Sequence, residues 1–406
     1  MWWTSWLDRV RGRRTPDVVG TRRLRGRVPA VPLGRRAPMR VVYTDAVVHE
    51  TYTLKARVLQ RAARLVFKPL LQLTPINDRS LATLRSLDRL SARGPRSRYV
   101  EPVRHELGGV PVESMTHRFG PTSEMSVLYL HGGGFFSCGI ETHRRICERL
   151  AYYTGATVTS VEYRQLPEGT VADSVQDAIN AYAALVESAV DPHKIVVAGD
   201  SAGGYLTMKI AELATRRGLP VPAALLTFSP LLSLDPERTD KGIDRVTRIR
   251  DAYLPMRRIP KIRERWMPEG ALIEGYASPL HASAYITSPA FFVAVEDEML
   301  RPEIEAMALR LAERGVTVET HLWRGQVHAF PVLADALPES RQAIQLAAAF
   351  ARRAVGELPE ETGRPDQEPV EGELVEEVAD ADEEIIDVDL EGPEPDTRRR
   401  WFFQAS

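Results

Sequence analysis

The stretch Ile195-Val196-Val197-Ala198-Gly199-Asp200-Ser201-Ala202-Gly203-Gly204 joins an apolar, β-branched run to a Gly-x-Ser-x-Gly motif. A helix-like segment, residues 205–210, follows it. Small residues two positions before and after Ser201 allow a sharp turn from strand to helix, which holds the serine hydroxyl exposed on a strained backbone. The free N–H groups of the following helix would face an anion that forms there. The motif predicts a nucleophile elbow, with an ordinary glycine-rich turn as the alternative.

A second glycine motif lies about seventy residues upstream. Residues 127–130 (VLYL) are typical of a buried strand and lead directly into His131-Gly132-Gly133-Gly134-Phe135-Phe136. Three consecutive glycines after a strand let the backbone turn its amide hydrogens into a cavity, as in an oxyanion hole built from a loop. We expect the N–H groups of Gly132, Gly133 and Ala202 to form this hole. His131 is expected to hold the loop through a hydrogen bond.

Together these motifs resemble the α/β-hydrolase fold and, within it, the hormone-sensitive-lipase-like family of bacterial carboxylesterases. The resemblance covers about residues 55–355 and includes further matching segments: residues 163–168 (YRQLPE), 229–230 (SP), 277–280 (ASPL) and 325–328 (GQVH). It implies a mostly parallel, eight-stranded sheet flanked by helices, with a small helical cap built largely from the N-terminal segment. The family's usual Tyr-Arg-Leu-Ala-Pro-Glu is Tyr-Arg-Gln-Leu-Pro-Glu here, so the acyl or alcohol pocket is expected to differ.

A serine nucleophile requires a base to take its proton. Among nine histidines, His328 is the best candidate, because it follows the strand-like run 316–323 and the loop 324–327. Catalytic groups of this fold lie on such loops at the carboxyl ends of strands. His321, inside the strand, is expected to be a packing or surface residue. His143, which follows the glycine loop, is an alternative that would line the entrance.

An orienting acid is expected after the apolar strand 290–295, which ends at Glu296-Asp297-Glu298. The family's acid lies just past such a strand, and the resemblance points to Asp297, with Glu296 as the alternative. The order Ser201, Asp297, His328 is that of α/β-hydrolases. Asp297 is expected to accept the hydrogen of the imidazole Nδ1 and to stabilise the imidazolium as it forms.

These residues predict a serine carboxylesterase that hydrolyses esters of short to medium acyl chain through an acyl-enzyme. A lipase, lactone hydrolase or amide hydrolase with the same triad is the alternative, and a non-catalytic binding protein is a third. The chemistry requires no metal and no organic cofactor. Phe135, Phe136 and Tyr205 adjoin the catalytic loops and are expected to bind substrate, or else to pack in the core. The expected partner is a small ester and not a nucleic acid, and the oligomeric state stays open.

Charge is strongly segregated although the net charge is −2. Residues 1–40 contain eleven Arg and two Asp, whereas residues 357–396 contain eighteen acidic residues and one Arg. We therefore expect a basic leader (1–50), an α/β-hydrolase domain with N-terminal cap helices (55–355) and a disordered acidic tail (357–406) that ends in a basic-aromatic motif. The two cysteines, Cys138 and Cys147, are too few for a disulfide framework and are expected to be reduced.

The leader has no apolar run long enough for a signal peptide or a membrane span, so a cytoplasmic location is expected. Trp2, Trp3 and Trp6 would share a helical face beside several arginines, a pattern that favours peripheral contact with an anionic membrane through residues 1–14. A disordered basic leader is the alternative.

Two further segments are expected to form the cap. The apolar run 65–73 predicts a cap helix near the substrate entrance, with a kink or break at Pro69. The charged span 235–274 is interpreted as cap or loop surface, with a carboxylate clamp for an acidic substrate as the alternative.

Overall fold

The computed structural model describes residues 46–86, 88, 97–234, 250–255 and 257–358. The chain divides into two units, Met1–Glu360 and Glu361–Ser406, and every described residue belongs to the first. The expected membrane contact of residues 1–14 and the expected disorder of the acidic tail concern residues outside these ranges, apart from the two tail residues 357 and 358. Within the described ranges, no helix is long and apolar enough to cross a membrane.

The described strands form one nine-stranded sheet. In chain order they are β1 (Val47–His49), β2 (Val100–Leu107), β3 (Val110–His117), β4 (Ser126–Leu130), β5 (Thr157–Val161), β6 (Ile195–Asp200), β7 (Ala224–Phe228), β8 (Ala290–Val295) and β9 (Val318–Trp323). Their order across the sheet is β1-β9-β8-β7-β6-β4-β5-β3-β2. Followed across the sheet in this order, neighbouring strands are parallel from β1 as far as β5. Strand β3 is antiparallel to both of its neighbours, β5 and β2. The predicted mostly parallel sheet is confirmed, with the three-residue edge strand β1 added to the eight strands expected.

Helices cover both faces of this sheet. In chain order they are α1 (Leu54–Ala62), α2 (Lys68–Leu73), α3 (Asp78–Ser86), α4 (Ile140–Thr154), α5 (Val171–Ser188), α6 (Ala202–Arg217), α7 (Ile259–Trp266), α8 (Arg301–Ala312) and α9 (Pro338–Ala354). Short 3₁₀ turns are Pro192–Lys194, Pro279–His281, Ser283–Tyr285 and Phe330–Ala336.

Side chains of the central strands alternate between two hydrophobic cores. In β4, Leu128 and Leu130 belong to the core that contains residues of α5, α6 and α8, whereas Val127 and Tyr129 belong to the core that contains residues of α4 and α9. Successive strand residues point to opposite faces. Because both faces are covered, the central strands are apolar at nearly every position. Cys138 and Cys147 are both free thiols, as expected.

Of the kink or break expected at Pro69, the break does not occur. Residues 54–73 continue as one helical segment through a π-helical turn, Ala63–Phe67, in which the N–H of Lys68 bonds the carbonyl of Ala63. Proline lacks an N–H and its ring crowds the carbonyl four residues back. A π-helical turn just before the proline widens the helix locally, so the chain continues without a break.

The described part of the charged span, around α7, contacts the N-terminal helices. Arg258 donates its Nε–H to the carbonyl of Gln72 at 2.6 Å, and Arg265 pairs with Asp78 in the first turn of α3. These two arginines therefore join the described part of the span to the N-terminal helices α2 and α3.

Candidate active site

Ser201 lies at the turn between β6 and α6 with φ 50° and ψ −116°. A non-glycine residue rarely adopts a positive φ, and the strain persists only where the surrounding structure enforces it. The enforcement comes from close packing: a Cβ on Gly203 would lie 1.8 Å from the carbonyl oxygen of Leu130, and one on Gly199 would lie 2.5 Å from that of Gly203. The two small residues of the motif let α6 approach β4 and β6, and the predicted elbow is present.

His328 lies next to the nucleophile. Its Nε2 is 2.9 Å from the Ser201 Oγ, as the sequence predicts. The loop after β9 places it there, and the loop is fixed because the N–H of Ala329 donates to the Ser229 Oγ at 3.1 Å. His321 is instead buried within β9 and bonds Glu319 and His49, which agrees with its expected packing role.

The acid beside His328 is Glu298, so the assignment of Asp297 is wrong. Glu298 Oε2 lies 2.9 Å from the His328 Nδ1, and its Oε1 accepts the N–H of Val295 at 2.8 Å. Asp297 has a carboxylate oxygen 3.9 Å from Arg250. The chain turns tightly after β8, with the N–H of Glu298 donating to the carbonyl of Val295. Because of this turn, the third acidic residue, Glu298, lies at the end of β8. The sequence shows three adjacent carboxylates but does not reveal which of them the turn places there.

Glu296, the alternative acid, lies in a buried ion pair with Arg324. The guanidinium donates from Nη2 to Oε1 at 2.9 Å and from Nε to Oε2 at 3.0 Å, and both side chains are more than nine-tenths buried. A buried charge that loses its partner is strongly destabilising, so the pair has a structural role.

We expect Glu296→Gln to lower the free energy of unfolding by about 3 kcal/mol, because Arg324 keeps its buried charge. Activity per folded molecule should change only a few-fold. Urea denaturation and kcat of the same samples measure the two effects. The control is Glu313→Gln, an exposed residue at the end of α8, which should change neither. A variant of normal stability that has lost its activity would contradict this role.

Asp251 is a site residue that the sequence did not reveal, since it lies in a span interpreted as surface. It is 1 % exposed. Its Oδ1 accepts the N–H groups of Tyr253 at 2.8 Å and Leu254 at 2.7 Å, and its Oδ2 accepts that of Met299, the residue after Glu298, at 2.9 Å. An Asp that caps its own turn is a recognisable local pattern. Its bond to Met299 depends on the tertiary fold.

Because Asp251 fixes this turn, Tyr253 lies over His328, the candidate base. Its ring stacks beside that of His328, with centroids 6.1 Å apart and planes inclined by 25°. The side chain is 37 % exposed. A substrate at Ser201 would therefore meet this ring at the mouth of the site.

The charges around His328 change its acidity. Burial lowers the pKa of His328, but the hydrogen bond to Glu298 and the negative charges of Glu298, Asp251 and Asp200 more than offset burial, so the pKa is raised above 6.5. A general base acts in its neutral form. We therefore expect kcat/KM for a soluble ester to fall as pH decreases through a value above 6.5. A profile that stays flat down to pH 6 would contradict this.

Asp251→Asn should move that acid limb to lower pH, because the variant removes one of the charges that favour the imidazolium. The measurement is the kcat/KM profile of the variant beside that of the wild type. Asp173→Asn, which removes a carboxylate from the first turn of α5, serves as the control and should leave the limb in place. If the acid limb of Asp251→Asn lies at the same pH as that of the wild type, the Asp251 charge does not raise the pKa of His328.

Gly132 does not have a free amide, contrary to its expected role as an oxyanion donor. Its N–H donates to the Asp200 Oδ1 at 2.9 Å. The approach is so close that a Cβ on Gly132 would lie 2.1 Å from the Asp200 Oδ2. Gly133, with φ +116°, and Ala202, at the start of α6, donate no N–H bond to any described residue. These two remain as candidate donors.

Asp200 is the centre of a buried network below the glycine loop. Besides Gly132 it accepts the hydroxyl hydrogen of Tyr129 at 2.9 Å and lies 3.2 Å from the Nε2 of His143. Burial lowers the pKa of His143, but the charge of Asp200 and its hydrogen bond more than offset burial and raise it. His143 is 3 % exposed and does not line the entrance, so this alternative role is wrong.

His131 holds the loop, as expected. Its Nδ1 is 2.7 Å from the Gly132 carbonyl oxygen, and its ring stacks on Tyr163 with centroids 4.3 Å apart. Burial, followed by the charge of His143, lowers the pKa of His131 to about 3, which keeps the ring neutral.

Two of the three expected substrate-binding aromatics lie in the core. Phe135 and Tyr205 have no exposed surface and pack edge to face at 5.5 Å. The Tyr205 hydroxyl donates to the carbonyl of Ala277 at 2.9 Å. Their expected contact with substrate is therefore wrong, because the glycine loop turns the Phe135 ring inward and α6 carries Tyr205 into the core, the alternative that the sequence left open. Phe136 is partly exposed and remains a candidate.

Trp266 connects the cap to the glycine loop. Its indole N–H donates to the carbonyl of Gly134 at 2.8 Å, and its ring meets Phe135 edge to face at 6.0 Å. Helix α7 is thereby fixed at the edge of the site.

Comparison with known proteins agrees with this architecture. The family model described as alpha/beta hydrolase fold matches residues 127–332, a span that contains the glycine loop, Ser201, Glu298 and His328. Esterase LipU of Mycobacterium tuberculosis is 33% identical over 238 residues, which cover 57% of this chain and 78% of that protein. An acetyl-hydrolase of Streptomyces hygroscopicus is 31% identical, covering 57% of this chain and 77% of that protein.

The similarity to a solved structure extends beyond residues 127–332, the span that the family model matches. The crystal structure of an esterase from the bacterial hormone-sensitive lipase family superposes with a TM-score of 0.64 at 25% identity, covering 75% of this chain and 99% of that chain. With half of the chain matched by the family model, and with an elbow, a glycine loop and a strand order that agree, this chain belongs to the alpha/beta-hydrolase family and is similar to its bacterial hormone-sensitive-lipase branch.

Proposed function

We propose that this protein is a serine carboxylesterase that hydrolyses esters of short to medium acyl chain. The observation that carries the proposal is the relay from Ser201 through His328 to Glu298, with 2.9 Å at each step, on a strained elbow. The relatives named esterase and acetyl-hydrolase support ester bonds as the target.

The geometry suits an acyl-enzyme mechanism. Ser201 attacks the ester carbonyl carbon while His328 Nε2 takes the hydroxyl proton, and Glu298 holds the Nδ1–H and stabilises the imidazolium. The N–H groups of Gly133 and Ala202 would stabilise the oxyanion, and such a donor typically contributes ~3 kcal/mol. His328 then protonates the leaving alcohol. Water attacks the acyl-enzyme with His328 again as base, which releases the acid and restores Ser201.

The entrance supports a preference for smaller acyl groups. Tyr253 stacks beside His328, and α7 is fixed over the glycine loop through Trp266. Both therefore lie beside groups that an acyl carbon at Ser201 would approach. We therefore expect a long chain to require displacement of the cap, whereas an acetyl or butyryl group does not.

Hydrolysis of p-nitrophenyl acetate, butyrate, octanoate and palmitate tests the proposal. The expected result is the highest kcat/KM on acetate or butyrate. A maximum on palmitate would replace the proposal with a lipase. Turnover of amides or lactones alone would indicate a different hydrolase with the same residues, and no turnover at all would favour the non-catalytic binding protein.

We also propose that residues 1–14 make peripheral contact with anionic membranes. These residues lie outside the described part of the chain, and the support is the pairing of tryptophan with arginine in their sequence. Co-sedimentation with anionic liposomes that is unchanged when residues 1–40 are deleted would refute it.

A further inference from the structure

The helical segment 54–73 exposes an unusual amount of apolar surface. Seven of the fifteen exposed large apolar side chains of the described residues belong to it. Five of these lie within nine residues, are 49–76% exposed and are called the cap face here: Leu65, Val66, Phe67, Leu70 and Leu73. Soluble proteins rarely expose so dense an apolar patch except where they bind another surface.

The charge of the segment indicates what kind of surface the cap face would bind. The same twenty residues contain no Asp or Glu, and besides Lys68, which turns to the hydrolase body, they contain four basic side chains: Lys55, Arg57, Arg61 and Arg64. A helix that combines exposed leucines with basic residues suits the interface of an anionic lipid layer. A symmetric dimer through this face would place the same patch of each copy against the other, and its like charges would oppose association.

The opposite side of the segment is fixed to the hydrolase body. The N–H of Thr53 donates to Glu339 at 2.5 Å, and the side-chain amide of Gln60 donates to the carbonyl of Gln326 at 3.4 Å. Lys68 donates its Nζ–H to the carbonyl of Asp251 at 2.5 Å. Gln326 lies two residues from His328, and Asp251 is adjacent to Met299, so the segment runs along the mouth of the site.

We propose that the cap face docks on an anionic lipid–water interface and places the mouth of the Ser201 site at that surface. The proposal goes beyond ester hydrolysis. It concerns a surface of described residues and is independent of the leader. Esters that partition into the interface would then reach the site without crossing bulk water.

Vesicle binding by the full chain is the first test. Vesicles of phosphatidylcholine with phosphatidylglycerol should bind the protein, and vesicles of phosphatidylcholine alone should bind it weakly. The triple variant Leu65→Ser/Leu70→Ser/Leu73→Ser should bind the anionic vesicles about tenfold less, since it removes three apolar contacts. The matched control is Phe119→Ser/Val190→Ser/Leu272→Ser, which removes three side chains that are 85–87% exposed elsewhere and should bind like the wild type.

An environment-sensitive fluorophore gives a readout that binding through the leader would not change. NBD attached at Leu65→Cys in the full chain should shift to shorter emission wavelength when anionic vesicles are added. NBD at Phe119→Cys should not shift, and wild type labelled in the same way supplies the background from Cys138 and Cys147.

Each other outcome overturns the proposal. A label at position 65 that stays in water while the protein is vesicle-bound would leave the leader as the contact. A shift that occurs without vesicles and with a doubled molar mass would assign the face to a second copy. The triple serine variant should hydrolyse soluble p-nitrophenyl butyrate at the wild-type rate, so failure of docking and failure of the proposed esterase activity are distinguishable.

Discussion

Ser201→Ala should lower kcat for p-nitrophenyl butyrate by about 10⁵-fold or more, the loss expected when the nucleophile of a triad is removed. The hydroxyl is 2.9 Å from the His328 Nε2, and the same turn already carries small residues, so alanine should fit without disturbing the fold. The measurement is the steady-state rate, with circular dichroism and the melting temperature showing that the variant is folded.

Ser229→Ala is the matched control. Ser229 also has φ 50°, directly follows the neighbouring strand β7 and is buried. Its hydroxyl accepts the N–H of Ala329 and does not reach the reaction. We expect its rate to fall by about tenfold or less, because one hydrogen bond to the His328 loop is lost. A folded Ser201→Ala enzyme with a rate similar to that of Ser229→Ala would refute Ser201 as the nucleophile.

Glu298→Gln should lower kcat by roughly 10³- to 10⁴-fold, the loss seen when the acid of a triad is replaced by its amide. The amide cannot stabilise the imidazolium, and it can present its NH₂ to the Nδ1 and favour the wrong tautomer. The Val295 N–H bond can persist through the amide oxygen, so the turn after β8 should keep its shape.

Asp297→Asn separates the two neighbouring acids. Its carboxylate lies beside Arg250 and not beside His328, so its rate should stay within a few-fold of the wild type. Both variants are measured on the same ester, with thermal melting as the check on folding. A large loss in Asp297→Asn together with a normal rate in Glu298→Gln would restore the sequence-based assignment.

Local patterns in the sequence were sufficient for most of the architecture. The Gly-x-Ser-x-Gly turn required glycine because its backbone approaches β4 within contact distance. The apolar central strands required helices on both faces, and the order of elements predicted the parallel sheet. His328 was found because only it follows a strand and a loop in the expected place. Each of these signals acts over a few residues and is therefore visible along the chain.

The tertiary structure decided the choices among chemically equivalent neighbours. Three adjacent carboxylates follow β8, and only the turn geometry brings Glu298 to a histidine thirty residues further along the chain. Gly132 and Gly133 are the same residue type, yet the Asp200 carboxylate accepts the N–H of Gly132 and so removes it as an oxyanion donor. Asp251 joined the site through a bond to Met299, forty-eight residues away. Composition and spacing determine which groups are available, whereas distances of a few ångströms between remote segments determine which of them meet.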